Sequence, residues 1–279
     1  MRRAAALAVT LATAVAAPAP GQVRPLRTVD PLPVATGTVV AELGVEFQHG
    51  RTFPLSGLTG DLVGLPTVAL TFGFGRAEFR VESGYDLLFI DERDPDAVFA
   101  DLIESNGDFV RDVRDPVIST KLLLRHETRL QPAMAIRVAT KLPSTGNGSG
   151  LGTDAIDVFL GVLAGKDLGA TRLAVNVGLG VLSAPTEGHR QNDVLQYGVS
   201  LARPVGERLE LVAEAAGRAD FKDRDLPGTG SEGQARLGLR WTAGRWRLDA
   251  AAIRGLHEVD AAWGVTVGVT TSMETFENR

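Results

Sequence analysis

The chain has 279 residues, of which 44% are apolar and 23% charged, with a formal net charge of −5 and no cysteine. The lack of cysteine excludes disulfides, thiolate metal sites and a cysteine nucleophile. The acidic balance gives no basic face for nucleic acid. The glycine-rich run at 146–150 precedes strand-like sequence instead of a helix, so it does not form a dinucleotide site, and we predict no cofactor.

The N-terminus is typical of an export signal. Arg2 and Arg3 precede an uncharged, alanine-rich run at 4–17, with small residues at Ala14 and Ala16. This pattern predicts a signal peptide over residues 1–16. The alternative, an anchor helix, is disfavoured because a spanning helix needs ~20 apolar residues. Residues 17–36 are then expected to form an N-terminal periplasmic segment.

Beyond residue 36 the apolar residues recur with a period of two. The clearest case lies within residues 76–90. Its apolar set is Phe79, Val81, Tyr85, Leu87 and Phe89, and its polar set is Glu78, Arg80, Glu82, Gly84 and Asp86. Successive side chains of a strand point to opposite faces, so a strand separates these two sets, whereas a helix would mix them.

The same reading predicts twelve strands. They lie near 37–49, 62–74, 76–90, 114–125, 132–142, 154–165, 170–184, 191–202, 208–218, 232–242, 245–254 and 260–273. Most are long enough for the ~9–11 residues that a tilted strand needs to cross a bilayer. The sequence therefore predicts an all-β fold, a transmembrane antiparallel up-and-down β-barrel over 37–273, followed by a tail at 274–279.

The connections support this fold. Short links follow the even-numbered strands, whereas the odd-numbered connections are mostly longer. Outer-membrane barrels have short periplasmic turns and long extracellular loops. The longest connection, 91–113, is rich in acidic residues; it is either a solvated loop or a contact for a divalent cation or a surface lipid.

The apolar face is nearly free of charge and carries aromatic residues near strand ends, so we place it against lipid and the polar face in the lumen. The lumen-lining candidates are Glu42, Glu46, Glu78, Arg80, Glu82, Asp86, Lys121, Arg125, Arg137, Lys141, Asp157, Arg236, Arg240, Arg247 and Asp249. These charges either pair with one another and fill a narrow interior, or form a charged constriction that selects solutes.

The sequence offers no catalytic or metal-binding motif. The four histidines lie at strand ends or loops, and none has the spacing of a zinc site. A hydrolase would need a Ser–His pair. His126 is the best candidate for it, but no serine motif accompanies it. We therefore predict no catalytic residues and no metal ligands.

Six short stretches form an ordered string along the chain. They are residues 114–121 (RDPVISTK), 140–146 (TKLPSTG), 150–153 (GLGT), 157–158 (DV), 166–169 (KDLG) and 263–266 (WGVT). This string resembles the outer-membrane barrel family labelled "meta-pathway of phenol degradation", over roughly residues 40–273. The resemblance implies a protein that admits small compounds, with aromatic compounds as a candidate class. That family has no established catalytic residues to carry over.

These observations together predict a non-enzymatic, porin-like barrel of the bacterial outer membrane. Its expected partners are outer-membrane lipid and a small-molecule solute, and the sequence does not indicate an oligomeric state. The leading hypothesis is a passive channel or uptake barrel for small molecules. The alternatives are a non-conducting structural or binding barrel and, with less support, an outer-membrane hydrolase.

Overall fold

The fold is described from a computed structural model, which covers residues 23–186, 190–222 and 226–274. The expected signal peptide at 1–16 and residues 275–279 of the expected tail lie outside these ranges. Within them, no helix is both long enough and apolar enough to cross a membrane.

The described residues form twelve strands. These are β1 (Thr38–Phe53), β2 (Leu58–Phe74), β3 (Ala77–Arg93), β4 (Phe109–Arg125), β5 (Ala133–Lys141), β6 (Asp157–Leu168), β7 (Thr171–Ser183), β8 (Gln191–Pro204), β9 (Leu209–Ala219), β10 (Glu232–Ala243), β11 (Trp246–Gly255) and β12 (Trp263–Glu274). Two short 3-10 turns, Ala100–Leu102 and Asn147–Ser149, lie in the connections.

In the described ranges the twelve strands close into an up-and-down antiparallel barrel. The first strand pairs with the last, from Thr38 opposite Glu274 to His49 opposite Trp263, so the sheet has no free edge. Closure satisfies the backbone hydrogen-bonding groups that lipid could not. The predicted fold class is confirmed.

The first four strands run further than their sequence pattern suggested. β1 and β2 extend to a connection of residues 54–57, and β3 and β4 extend to a connection of 94–108. At this end the inner face is also apolar, since Leu58, Leu62, Leu88 and Val110 form a buried cluster there. The outer face there carries polar residues such as Asp61 and Arg111. The polarity of the two faces is therefore partly reversed relative to the rest of the barrel, and the pattern there resembled a loop.

The two ends of the barrel differ in their connections. We call one the short-turn end, where the links are 75–76, 126–132, 169–170, 205–208 and 244–245. We call the other the long-loop end. Gly75 and Gly169 have φ of 62° and 65° in their turns, a backbone conformation that other residues adopt only with strain. Outer-membrane barrels have short turns in the periplasm, so we expect the short-turn end to face it.

The barrel is apolar outside and charged inside. Leu160, Val177 and Leu237 are at least half exposed on the outer face, while Glu42 and Lys121 are buried within. Trp241 and Trp246 lie outside near the short turns, and Trp263 lies outside near the long loops. Aromatic residues at both levels suit the two interfaces of a bilayer.

The orientation of the two faces gives a stability prediction. Val177 is outward-facing near the middle of β7, and Val177→Arg would place a charge against the bilayer core. We expect a loss of ~2–4 kcal/mol in the free energy of unfolding, measured by denaturant titration in lipid vesicles. The control is Leu130→Arg in the β4–β5 turn, where the side chain is already 89% exposed and we expect little change. Equal effects of the two variants would contradict an outer face that contacts lipid.

Candidate functional site in the barrel lumen

The N-terminal segment of the described chain lies inside the barrel. Residues 23–36, which we call the plug, run from the start of β1 across the short-turn half of the lumen. Val34 lies beside Glu78 on β3, and Thr28 lies beside Glu214 on β9. The sequence analysis assigned residues 17–36 to the periplasm. The structure instead places residues 23–34 in the lumen, and 17–22 lie outside the described residues.

Apolar side chains explain why the plug is inside. Val23 and Val29 are buried in a cluster with Ala135 on β5 and Leu163 on β6, both of which point inward. Burying a side chain such as valine is worth ~1.5–3 kcal/mol relative to leaving it in water. A solvated periplasmic linker would lose this contribution.

The backbone N–H groups of the plug donate to acidic side chains of the barrel wall. The amides of Val23 and Arg24 donate to Glu42 at 3.2 and 3.1 Å. The amides of Arg27 and Thr28 donate to Glu214, with the shortest distance 2.7 Å. The amide of Val34 donates to Glu78 at 2.9 Å. These three glutamates therefore replace the strand partners that the plug lacks.

The carbonyl groups of the plug accept from basic side chains. Arg240 donates to the Val23 and Arg24 carbonyls at 3.1 and 2.9 Å. Lys121 donates to the Asp30 and Leu32 carbonyls at 2.8 and 3.0 Å. Arg236 donates to the Pro25 carbonyl at 2.8 Å, and Arg247 donates to the Arg24 carbonyl at 3.1 Å.

One amide side chain binds the plug as a strand would. The side-chain amide of Asn176 on β7 donates to the Val29 carbonyl, and its oxygen accepts from the Val29 amide, both at 2.8 Å. Backbone without secondary structure is tolerated at membrane depth only where protein or water satisfies its polar groups. The charged inner face provides that satisfaction.

The same charged residues also pair with one another around the wall. Glu78 pairs with Lys121 at 3.1 Å, and Glu46 pairs with Arg236 at 2.9 Å. Glu42 pairs with Arg80. Buried ion pairs contribute only when additional hydrogen bonds satisfy their remaining atoms. Here the plug backbone supplies those bonds for Glu78 and Lys121.

The structure places fourteen of the fifteen predicted lumen residues on the inner side of the described barrel. These are Glu42, Glu46, Glu78, Arg80, Glu82, Asp86, Lys121, Arg137, Lys141, Asp157, Arg236, Arg240, Arg247 and Asp249. The remaining candidate, Arg125, lies at the end of β4 and donates to Pro132 and Gln131 within the β4–β5 turn. A register shift between Leu123 and Arg125 breaks the alternation on which its assignment rested.

Sequence reasoning missed the plug residues that face the lumen. Arg24 donates to Thr67 on β2 and pairs with Asp249 on β11 at 3.3 Å, so it links the two strands that flank the β1–β12 closure. It also missed Arg51, which pairs with Glu232 and Asp260 near the long loops. A signal was available, because residues 23–34 are too rich in valine, leucine and proline for a solvated linker.

Two cavities of about 260 and 340 Å³ remain in the lumen on the long-loop side of the plug. Arg27 and Arg137 line both of them. Phe159 and Leu163 form part of the wall of the smaller cavity. Spaces near ~300 Å³ lie at the lower end of the range for small-molecule sites.

A network of ion pairs connects the plug to the short turns. Arg172, at the start of β7, donates to Asp30 of the plug at 2.7 Å and to Glu127 of the β4–β5 turn at 2.6 Å. Lys166 donates to Glu127 at 2.7 Å. Burial opposes ionisation of Glu127, but the bonds from Lys166, the Asp167 amide and Arg172 outweigh it and lower the pKa of Glu127 to about 2.

The described residues bring together no catalytic or metal-binding group. Ser119 is buried in the lumen, whereas His126 is exposed on the β4–β5 turn, so the candidate hydrolase residues lie apart. His49 pairs with Asp61 at 2.7 Å. No three His, Asp or Glu side chains among the described residues are placed to hold a metal ion. His189 lies outside the described ranges.

The sequence matches no protein-family model and no curated protein. Solved structures do align. An outer-membrane channel from Pseudomonas putida F1 has a TM-score of 0.62 at 13% identity, covering 88% of this chain and 98% of that chain. The NanC porin has a TM-score of 0.53 at 9% identity, covering 82% and 98%. The chain has the fold of an outer-membrane barrel. Phospholipase A from Escherichia coli aligns with a TM-score of only 0.46 at 12% identity, covering 85% of this chain and 91% of that chain. This similarity is too low to indicate a shared activity.

The low pKa of Glu127 predicts a pH dependence. Its carboxylate is held at a pKa of about 2 in the fold against an ordinary 4.5, so its stabilisation is complete above about 4.5 and is lost as pH falls towards 2. We expect the difference in free energy of unfolding between wild type and Glu127→Gln to be largest near neutral pH and to shrink through that window. Denaturant titrations at a series of pH values in detergent measure it.

The matched control is Glu207→Gln, an exposed acid on the β8–β9 turn. No hydrogen bond or ion pair within the described residues involves Glu207, so we expect a small difference at every pH. The difference in free energy of unfolding between wild type and Glu127→Gln could instead stay constant from neutral pH down to about 2. That result would show that ionised Glu127 does not stabilise the fold.

Proposed function

We propose that this protein is an exported outer-membrane channel for small solutes, closed in its resting state by the plug. The observation that carries the proposal is a closed barrel with an apolar exterior and a charged interior that still contains two cavities. The folds of the Pseudomonas putida F1 channel and the NanC porin support it. The predicted signal peptide at 1–16 would direct export.

The size of the cavities limits the solute. Spaces of about 260 and 340 Å³ suit a molecule of one ring or a short chain, and not a folded peptide or a lipid. The resemblance to the phenol meta-pathway barrels adds aromatic compounds as a candidate class. Passage of such a solute would require the plug to move, because the plug crosses the short-turn half of the lumen.

Movement of the plug is compatible with its bonding. It contributes no strand to the barrel, so its displacement would leave all twelve strand pairs of the described chain intact. Each charged hydrogen bond that it makes is worth ~1.5–3 kcal/mol, and water in the lumen could replace it. The proposed open state is therefore a barrel without the plug in place.

A second function has a specific observation in its favour. The plug binds side chains of many strands, from Glu78 on β3 to Arg247 on β11, which would suit a barrel that binds a ligand without conducting. This alternative predicts no conductance whether or not the plug can move. Tethering the plug separates the two functions.

A disulfide can test the role of the plug because the chain has no cysteine. A Cβ at Gly198 on β8 would lie 3.6 Å from the Cβ of Thr28 in the plug, within the ~3.5–4.5 Å of disulfides. In the double variant Thr28→Cys/Gly198→Cys, we expect oxidation to lower single-channel conductance in planar bilayers. A reductant should restore it to the wild-type level.

The controls are the two single variants, whose conductance should not respond to oxidant. Equal conductance of the oxidised and reduced double variant would show that plug movement does not limit conduction. Absence of conductance in every state would instead favour the non-conducting binding barrel.

A further inference from the structure

Two arginines in the lumen form no ion pair with another residue that the structure describes. Arg27, on the plug, uses its backbone amide to reach Glu214, but its guanidinium makes no hydrogen bond or ion pair within the described residues. The same holds for the guanidinium of Arg137 on β5. In contrast, Arg80 pairs with Glu42 and Glu82, and Arg114 pairs with Asp86. Among the described charges of the lumen, Arg27 and Arg137 thus differ from their paired neighbours.

These two guanidinium groups share the same space, since each lines both cavities. Six arginines but only four carboxylates line the larger cavity. Two of the six, Arg24 and Arg114, pair with Asp249 and Asp86, which lie outside this lining. Among the described residues this leaves Arg27 and Arg137 as the lining arginines without an ion pair. Arg27 is exposed to the lumen and Arg137 is half-buried, so each guanidinium can attract an anion from solution.

The wall of the smaller cavity also offers apolar side chains that could contact a solute. Phe159 and Leu163 on β6 face inward there beside Ala139. Gly161 and Gly178 lie opposite each other on β6 and β7 and line the same cavity, and neither adds a side chain to its wall. The site therefore combines cationic groups with a flat apolar surface that larger side chains do not obstruct.

We propose that the two cavities form a binding site for a small organic carboxylate. Its anionic group would pair with Arg27 or Arg137, and its apolar body would pack against Phe159. Guanidinium groups suit carboxylates because they can donate two parallel hydrogen bonds to them. This inference deepens the proposed channel function by naming the class of solute, and it rests on the cavity and not on conduction.

Binding to the refolded full-length protein in detergent tests the proposal, with benzoate as the probe and isothermal titration calorimetry as the measurement. We expect saturable binding of benzoate. Benzamide, which lacks the charge, and acetate, which lacks the ring, should each bind at least about tenfold more weakly, as expected for loss of a charged hydrogen bond or of apolar contact. Inorganic phosphate should also bind more weakly than benzoate.

Arginine variants identify the site. We expect Arg27→Gln and Arg137→Gln each to weaken benzoate binding at least about tenfold, because each removes one cationic group from the cavities. Arg27→Lys and Arg137→Lys keep the charge and should retain part of the affinity. The matched control is Arg129→Gln, an exposed arginine on the β4–β5 turn that lines neither cavity, and its affinity should equal that of the wild type.

Several outcomes would overturn the assignment. They are no benzoate binding by wild type, equal binding of benzamide, phosphate binding as tight as that of benzoate, and unchanged affinity in both glutamine variants. Failure of the channel function is distinguishable from these results. If benzoate binds as expected and no conductance is found, the channel proposal fails and the binding site stands.

Discussion

The interior of this barrel depends on one set of hydrogen bonds, those between its charged side chains and the backbone of the plug. Glu42, Glu78 and Glu214 accept from plug amides, while Lys121 and Arg240 donate to plug carbonyls. A lumen that carried one sign of charge could satisfy only half of a peptide backbone. Donors and acceptors are both needed to hold a segment without secondary structure at membrane depth, and here basic and acidic side chains supply them together with the amide of Asn176.

This constraint accounts for the remaining arrangement of the lumen. The plug occupies the short-turn half, where it packs on Ala135 and Leu163 and is tied by Arg172 to the turns. The open space is left towards the long loops. There, Arg27 and Arg137 face the cavities without a partner, so the chemistry that would recognise a solute lies next to the segment that closes the pore. In the proposed function, closure and recognition would therefore share Arg27.

Much of the barrel could be predicted from the sequence because its outer face contacts lipid and its inner face is polar, which produces alternation. In β3, Glu78 and Arg80 point inward as expected. The alternation fails where Leu62 and Leu88 face inward at the long-loop end, so the strand ends there were placed too early. It is also interrupted near Arg125, where the pairing of β4 with β5 shifts in register.

The composition of residues 23–34 argued against a solvated linker, but the position of the plug in the lumen could not be predicted from local pattern. The plug has no period, and its partners are distributed along the chain from Glu42 to Arg247, so no neighbouring residues indicate where it lies. The lumen charges were visible in the sequence, but their role was not, because a charged inner face suits either water or a peptide. Only the three-dimensional structure shows that a peptide occupies half of it.

Deletion of residues 23–36 with the predicted signal peptide retained tests this account most directly. The account predicts a barrel that keeps its strand content by circular dichroism but has a lower free energy of unfolding and a higher ion conductance than the full chain. The loss of stability would come from lumen charges left without their backbone partners, since no strand is removed. An unchanged free energy of unfolding together with unchanged conductance would contradict it.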